Sequence, residues 1–294
     1  MQGARQKAQD TQHPTPYTLL FKLSTKHSMV ETSNWVEELR KARKGKLIGK
    51  EILFFDRVDS TNRLGREYAL KRAEEGFVIL AESQAQGRGR QGRVWESPAG
   101  VNLYLSVILK PSIPPAVAPQ ITLLAGVASA NALTRASGLE ARIKWPNDIF
   151  IHGKKVAGIL SEMEAEGLKI RFVILGMGVN VNWKMEEVPP DLQGLASSLM
   201  AEGGRKFSRA LVAGELLEEL EREYELFLRE GFSPRLREEW NRLSWVNQKW
   251  VTVKVMDKEF AGQVLGLDAD GALLLRDRKG NRQRLVAGDV SLRL

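Results

Sequence analysis

Phe77-Val-Ile-Leu-Ala-Glu-Ser-Gln-Ala-Gln-Gly-Arg-Gly-Arg-Gln-Gly-Arg-Val-Trp-Glu-Ser-Pro-Ala-Gly-Val-Asn-Leu-Tyr-Leu-Ser-Val-Ile-Leu109 sets a loop of glycines and arginines between two apolar runs. Phe77 to Ala81 and Val101 to Leu109 read as buried strands, so the loop lies at strand ends, where ligands commonly lodge. Gly87, Gly89 and Gly92 free the backbone for positive φ or close approach, and Arg88, Arg90 and Arg93 add three permanent charges. An empty loop of this kind repels itself and loses entropy on ordering. It is therefore expected to await an anion that neutralises and orders it. A solvated basic turn is the common meaning of an Arg-rich loop, but the flanking buried strands and the regular interleaving weigh against that here.

Two familiar patterns fit the loop and fail around it. Gly87, Gly89 and Gly92 satisfy G-x-G-x-x-G, and with Val94 even the kinase form, while Val107-Ile-Leu-Lys110 resembles V-A-I-K. A dinucleotide fold needs a helix to begin at the glycines, yet Ser97-Pro-Ala-Gly100 leads into a strand. A protein kinase needs H-R-D and D-F-G, and neither tripeptide occurs.

The 294 residues suffice for a main domain plus a small one, burying about three quarters of the unfolded surface. Cysteine is absent, which excludes thiol catalysis, disulfides and thiolate metal sites. His13, His27 and His152 are too far apart for a local ligand pair, and there is no G-x-S-x-G elbow. Net charge is +8, but residues 1–50 hold ten Lys/Arg and four Asp/Glu, so +6 of it lies in the lead segment. The rest is nearly balanced, which weakens a nucleic-acid reading.

Residues 1–45 read as a basic extension, partly disordered. Met1 to His27 is polar, no run there approaches the roughly 20 apolar residues of a membrane span, and Met29 is a candidate functional start. Trp35 to Arg43 reads as an amphipathic helix, and Glu51 to Phe55 as a strand. Asp59-Ser-Thr-Asn62 precedes a helical pattern and is read first as an N-cap, with ligand donation as the second reading. Ala116 to Ser137 is a core helix. Arg142 to Asp148, a hairpin around His152-Gly153 and Lys154 to Glu162 follow, then the strand Ile170 to Asn180. Lys155, commonly just a strand-end charge, becomes a second electrostatic clamp beside an arginine loop. Phe207 to Arg229 and Pro234 to Leu243 are helices. Short strands at 250–255, 259–264, 271–275 and 284–286 read as a small all-β barrel. The expected architecture is α+β, a mixed sheet flanked by helices over residues 46–246, with the barrel at 247–294.

Asp59-Ser-Thr-Asn62, Gly87 to Arg93 with Trp95, Lys144-Trp-Pro-Asn-Asp148, Lys155-Val-Ala-Gly-Ile-Leu160 and Gly176-Met-Gly-Val-Asn180 together resemble biotin protein ligases (biotin–[acetyl-CoA-carboxylase] ligases) in order and spacing. The resemblance runs from about Lys50 to the C-terminus. It implies a class II aminoacyl-tRNA-synthetase-like ligase domain and an SH3-like C-terminal barrel. Lipoyl-attaching enzymes share the fold but lack the arginine loop and the Lys-Trp-Pro-Asn-Asp run, so a lipoyl or octanoyl acyltransferase is the poorer match.

The activity implied is adenylation of biotin by ATP with Mg²⁺, then transfer to a lysine of a biotin carboxyl carrier domain, as in acetyl-CoA carboxylase. By resemblance Arg88, Arg90 and Lys155 are catalytic. Ser60, Thr61, Asn62, Gln84, Gly87, Arg88, Gly89, Arg90, Lys155 and Gly158 bind biotin. Arg90, Arg93, Trp95, Lys144, Asn147 and Asn180 bind ATP, with Trp95 stacked on adenine, and Asp148 is the metal candidate. A carboxylate meeting an α-phosphate is anion against anion, and arginines offset that repulsion. Some family members carry an N-terminal winged helix-turn-helix; the segment before Lys50 is too short in helix for one, so no specific DNA binding is expected. No membrane partner is expected, monomer and homodimer both stay open, and the lack of thiols and of an export signal points to the cytoplasm. The rival class is a nucleic-acid-binding protein using the basic extension and barrel; the apolar barrel strands count against it.

Overall fold

The computed structural model describes residues 33–292. The expected extension at 1–32, Met29 included, lies outside them. A seven-stranded sheet is built from β1 (Ile52–Val58), β2 (Val78–Gln84), β3 (Leu103–Leu109), β4 (Arg142–Lys144), β5 (Asp148–Ile151), β6 (Lys154–Glu166) and β7 (Lys169–Val179), in the order β1-β2-β3-β7-β6-β5-β4. Only β1 and β2 pair in parallel, and α1 (Asn34–Ala42) and α2 (Thr61–Leu70) flank β1 in the chain. The remaining helices are α3 (Pro119–Ser137), α4 (Leu199–Gly203), α5 (Arg209–Glu230) and α6 (Pro234–Leu243).

Strand alternation assigns the two faces of this sheet. Val78, Leu80, Leu103, Leu105, Val107, Val173, Leu175 and Met177 pack on one side with α3 and α5. Phe77, Ile79, Ala81, Ile108, Phe172 and Ile174 pack on the other with Leu64 and Tyr68 of α2. Burial on both faces explains why β2 and β3 read as unbroken apolar runs. Helix α3 is long and apolar enough to cross a bilayer by composition, but 13 of its 19 residues are buried in the main core.

The helix at 34–42 does not behave as part of an extension. Val36 and Leu39 are wholly buried in the main core, so this element packs with the body of the protein. Glu221 of α5 fixes the chain that follows it: its carboxylate accepts from the backbone N–H of Lys46 (2.6 Å), Leu47 (3.1 Å) and Ile48 (2.7 Å).

The C-terminal unit is a five-stranded antiparallel SH3-like sheet: β8 (Trp250–Val255), β9 (Lys258–Leu267), β10 (Leu273–Arg276), β11 (Arg282–Leu285) and β12 (Asp289–Leu292), ordered β11-β10-β9-β8-β12. Strand β12 has no counterpart among the strands expected from sequence. The unit docks on the main core through Asn241 Oδ1, which accepts from Leu267 N at 2.9 Å, and through Gly271, packed against Leu123.

Candidate active site

Helix α2 covers only part of its face of the sheet. Beyond it, the same face of β7, β6 and β5 floors a cavity of about 640 Å³, the size of a small-molecule site. Because Val173, Leu175 and Met177 of β7 and Ala157 and Ile159 of β6 point into the main core, Gly176, Gly178, Gly158 and Leu160 face the cavity, and Glu162 lies on the same side of the sheet. Gly158 and Gly178 are cross-strand partners and leave a smooth floor.

Trp95 lies on that floor. A methyl group at Gly178 would come within 2.5 Å of its indole Nε1, and one at Gly158 within 2.9 Å of its ring. The indole N–H is buried and has no hydrogen-bond partner, and Lys155 Nζ sits 5.2 Å from the ring centroid. Gly158 therefore makes room for an indole and, lining the cavity, stays a candidate for close approach of biotin.

The loop is more ordered than a glycine hinge. Arg88 and Val94 form an antiparallel bridge, Gly89 N donates to Arg93 O at 2.7 Å, and Trp95 N donates to Gly87 O at 2.9 Å. Positive φ falls at Gln91 (56°) and Gly92 (74°). Gly87 and Gly89 serve close approach instead: a Cβ at Gly87 would lie 2.2 Å from Trp95 O.

The expected self-repulsion of the loop is also corrected, because each arginine has an acidic partner. Arg88 Nη2 lies 3.1 Å from Glu162 Oε1, Arg93 Nη2 lies 2.5 Å from Asp289 Oδ2, and Arg90 Nη1 lies 3.7 Å from Asp289 Oδ1. Arg90 Nη1 also donates to Asn147 Oδ1 at 2.9 Å. Asn147 is held in turn by its side-chain amide donating to Ile159 O at 2.8 Å.

The capping reading of Asp59-Ser-Thr-Asn62 fails in detail. Ser60 occupies the N-cap of α2 but accepts no hydrogen bond from the helix N–H groups. Gln84 from β2 takes that part, its Oε1 accepting from Thr61 N (2.9 Å) and Thr61 Oγ1 (3.2 Å). Gln84 Nε2 donates to Ser97 Oγ, which donates to Trp95 O, so the helix start is wired to the flap. Ser106, placed on this face by the parity of β3, lies 2.8 Å from Thr61 Oγ1 and 2.7 Å from Asn62 Oδ1. Asn62 gives its two amide hydrogens to Leu160 O and Glu162 Oε2, so it braces the wall.

On the opposite wall, Lys155 Nζ lies 2.7 Å from Asp148 Oδ1, as an ion pair without an aligned hydrogen bond. Burial pulls the Lys144 ammonium below the usual lysine range, and the charge of Asp148 opposes the shift. Lys144 Nζ faces the Phe150 ring, which stacks on Trp245. Buried Asn180 donates to Ser197 O at 2.9 Å and lines the same wall. Leu195 and Ser197 are paired to the backbone of Lys155, and Glu202 holds Ser197, His152 and Lys154 together. Burial pushes the Glu202 carboxyl up, but the hydrogen bonds from Ser197 and His152 together with the charge and hydrogen bond of Lys154 hold it below its usual range. Among the described residues no cluster of three or more His, Asp or Glu could hold a metal alone.

All the residues singled out from sequence thus meet at one cavity or its flap. Glu162, Asp289, Ser106 and Ser97 join them without having been foreseen. Their signal was faint: acids and a serine on strands, and a serine in the loop, meaningful only once the partner is known.

The biotin/lipoate A/B protein ligase family profile matches residues 54–180, and that of the biotin protein ligase C-terminal domain matches 249–293. The bifunctional ligase/repressor BirA of Bacillus subtilis is 37% identical over 255 residues, covering 87% of this chain and 78% of that protein. A biotin–[acetyl-CoA-carboxylase] ligase of Paracoccus denitrificans is 33% identical, over 80% of this chain and 97% of its own. The biotin protein ligase of Aquifex aeolicus in complex with biotin and ATP superposes with a TM-score of 0.72 at 27% identity, covering 83% of this chain and 99% of that one. With both domain profiles matched and relatives above 30% identity covered over most of their length, this chain belongs to the biotin protein ligases, within the biotin/lipoate A/B protein ligase family.

Proposed function

We propose that the enzyme joins the carboxylate of biotin to the α-phosphate of ATP, releasing pyrophosphate, and then passes biotin to a lysine of a biotin carboxyl carrier domain. The observation that carries this reading is the flap: Arg88, Arg90 and Arg93 converge with Lys155 over one cavity whose far wall holds hydrogen-bonding groups and no free charge. In the first step a carboxylate oxygen forms a bond to the α-phosphorus while the bond to the pyrophosphate oxygen breaks. Arg88, Arg90 and Lys155 offset charge at that junction.

Ser60, Thr61 and Gln84 suit a neutral urea, which needs matched donors and acceptors in a dry slot. Gly87 and Gly89 let the backbone come close. Arg93, Lys144 and Asn147 take phosphates, Asn180 shapes the nucleotide wall, and Trp95 offers an indole face to adenine. Asp148, whose Oδ1 is ion-paired with Lys155, lines the cavity beside the groups read as binding phosphate and would give one carboxylate to a Mg²⁺ held mainly by phosphates and water, the usual binding of that ion; the ion would neutralise the leaving pyrophosphate.

We read residues 46–246, with the helix at 34–42, as the ligase unit and 247–294 as the barrel. The Paracoccus relative, named for the ligase activity alone and matched over nearly its whole length, favours a ligase without operator binding. Retention of one DNA sequence by the purified protein would contradict that. The bacterial ligases it is similar to support a cytoplasmic reaction. The direct test is ATP-dependent transfer of labelled biotin to an isolated carrier domain; no transfer with ATP present, or equal transfer without ATP, overturns the assignment.

A further inference from the structure

Asp289 opens β12, and the alternation of that strand settles where it points. Val290 is buried within the barrel unit, so Asp289 and Ser291 face the ligase cavity, which both line. Gly288, at φ 145°, fixes the start of the strand: a Cβ there would lie 2.7 Å from Val253 and 3.0 Å from Lys254 O. The carboxylate so delivered reaches Arg93 at 2.5 Å and Arg90 at 3.7 Å, and its charge also acts on Lys144. These are the cations read above as the phosphate site. A single carboxylate from the second unit thus lies in the middle of the charge that a polyphosphate needs.

We propose that Asp289 is a positioning residue that stands in for nucleotide phosphate in the empty enzyme. It keeps Arg90 and Arg93 ordered and facing the cavity, and incoming ATP must displace it to take their guanidinium groups. The barrel unit thereby sets nucleotide affinity through one side chain. A carboxylate and a phosphate present similar oxygens to an arginine fork, so the exchange needs little rearrangement of the flap. This rests on the nucleotide reading of the site.

The test compares full-length parent, Asp289→Asn and Asp289→Glu. Two readouts are used: calorimetric binding of inorganic pyrophosphate, and KM for ATP and for biotin in adenylate formation. Loss of one partly exposed competing carboxylate should tighten pyrophosphate binding and lower KM for ATP by about threefold to tenfold in Asp289→Asn. KM for biotin should hold, and Asp289→Glu should return the parental values. A merely structural role cannot produce a gain of affinity. Unchanged or weakened pyrophosphate binding in Asp289→Asn, with adenylate still formed, overturns the stand-in and leaves the ligase assignment untouched. Failure of the parent to form adenylate overturns both. If Asp289→Asn does not fold, Asp289→Ser carries the same expectation.

Discussion

Arg90 touches both walls of the cavity, Asn147 on the ligase side and Asp289 on the barrel side, so its removal separates chemistry from folding. Arg90→Ala should lower adenylate formation by about 100-fold or more while thermal stability stays near the parental value, since only partly exposed contacts are lost. A mutant that accumulates adenylate at the parental rate removes this arginine from the reaction. Gly178→Ala tests the floor. The added methyl meets a rigid ring 2.5 Å away, so Trp95 must leave its seat. Adenylate formation should fall about tenfold or more, with the altered tryptophan emission reporting the displaced indole. Legibility at this scale followed chemistry. Gly176, Gly178, Asn147 and Lys155 stand out because glycine, asparagine and lysine are odd companions of apolar strands. Glu162 and Asp289 look like ordinary solvated acids, and only the fold shows the arginines they face.

At the scale of elements, α5 and α4 act as brackets. Glu221 of α5 satisfies the backbone N–H groups of Lys46, Leu47 and Ile48, and its replacement by alanine leaves all three without that acceptor. Glu221→Ala should cost about 2–4 kcal/mol in denaturant unfolding, with Glu221→Gln intermediate. Glu202 of α4 fastens the β5–β6 turn to the segment flanking Lys155. Its folded pKa lies below the usual 4.5, so it stabilises fully above that value, and the contribution is lost as pH falls through the folded pKa. Unfolding midpoints taken from about pH 6 down to about pH 3 should therefore drop more steeply for the parent than for Glu202→Gln. Parallel curves would remove Glu202 from the acid transition. The long helices and strands were readable because their periodicity extends over many residues. Strand β12 was not: four residues with Val290 as the buried apolar anchor leave little period to detect. The cap on α2 misled for another reason, since the acceptor that serves Thr61 N comes from Gln84, 23 residues along the chain.

On the scale of the whole molecule, the two units share one cavity, so their docking should be visible in catalysis. Gly271 sits at φ 88°, and a Cβ there would lie 2.4 Å from Leu123 Cδ1 of the core helix. Gly271→Ala should destabilise by about 1–3 kcal/mol through backbone strain, and KM for ATP should shift while KM for biotin holds. Equal shifts in both constants would mean that the barrel does not act selectively on the nucleotide end.

The alternation of β6 from Ala157 to Glu162, beyond the irregularity that puts both Val156 and Ala157 in the core, has a consequence for how this chain tolerates change in length. Ala157 and Ile159 belong to the interior, while Gly158, Leu160 and Glu162 belong to the ligand side. Deleting one residue in this stretch would exchange the two sets, seating a carboxylate among leucines and turning isoleucine toward substrate. Losing two would keep each side chain on its proper side and merely move the floor along. Viable length variants of this segment should therefore come in even steps.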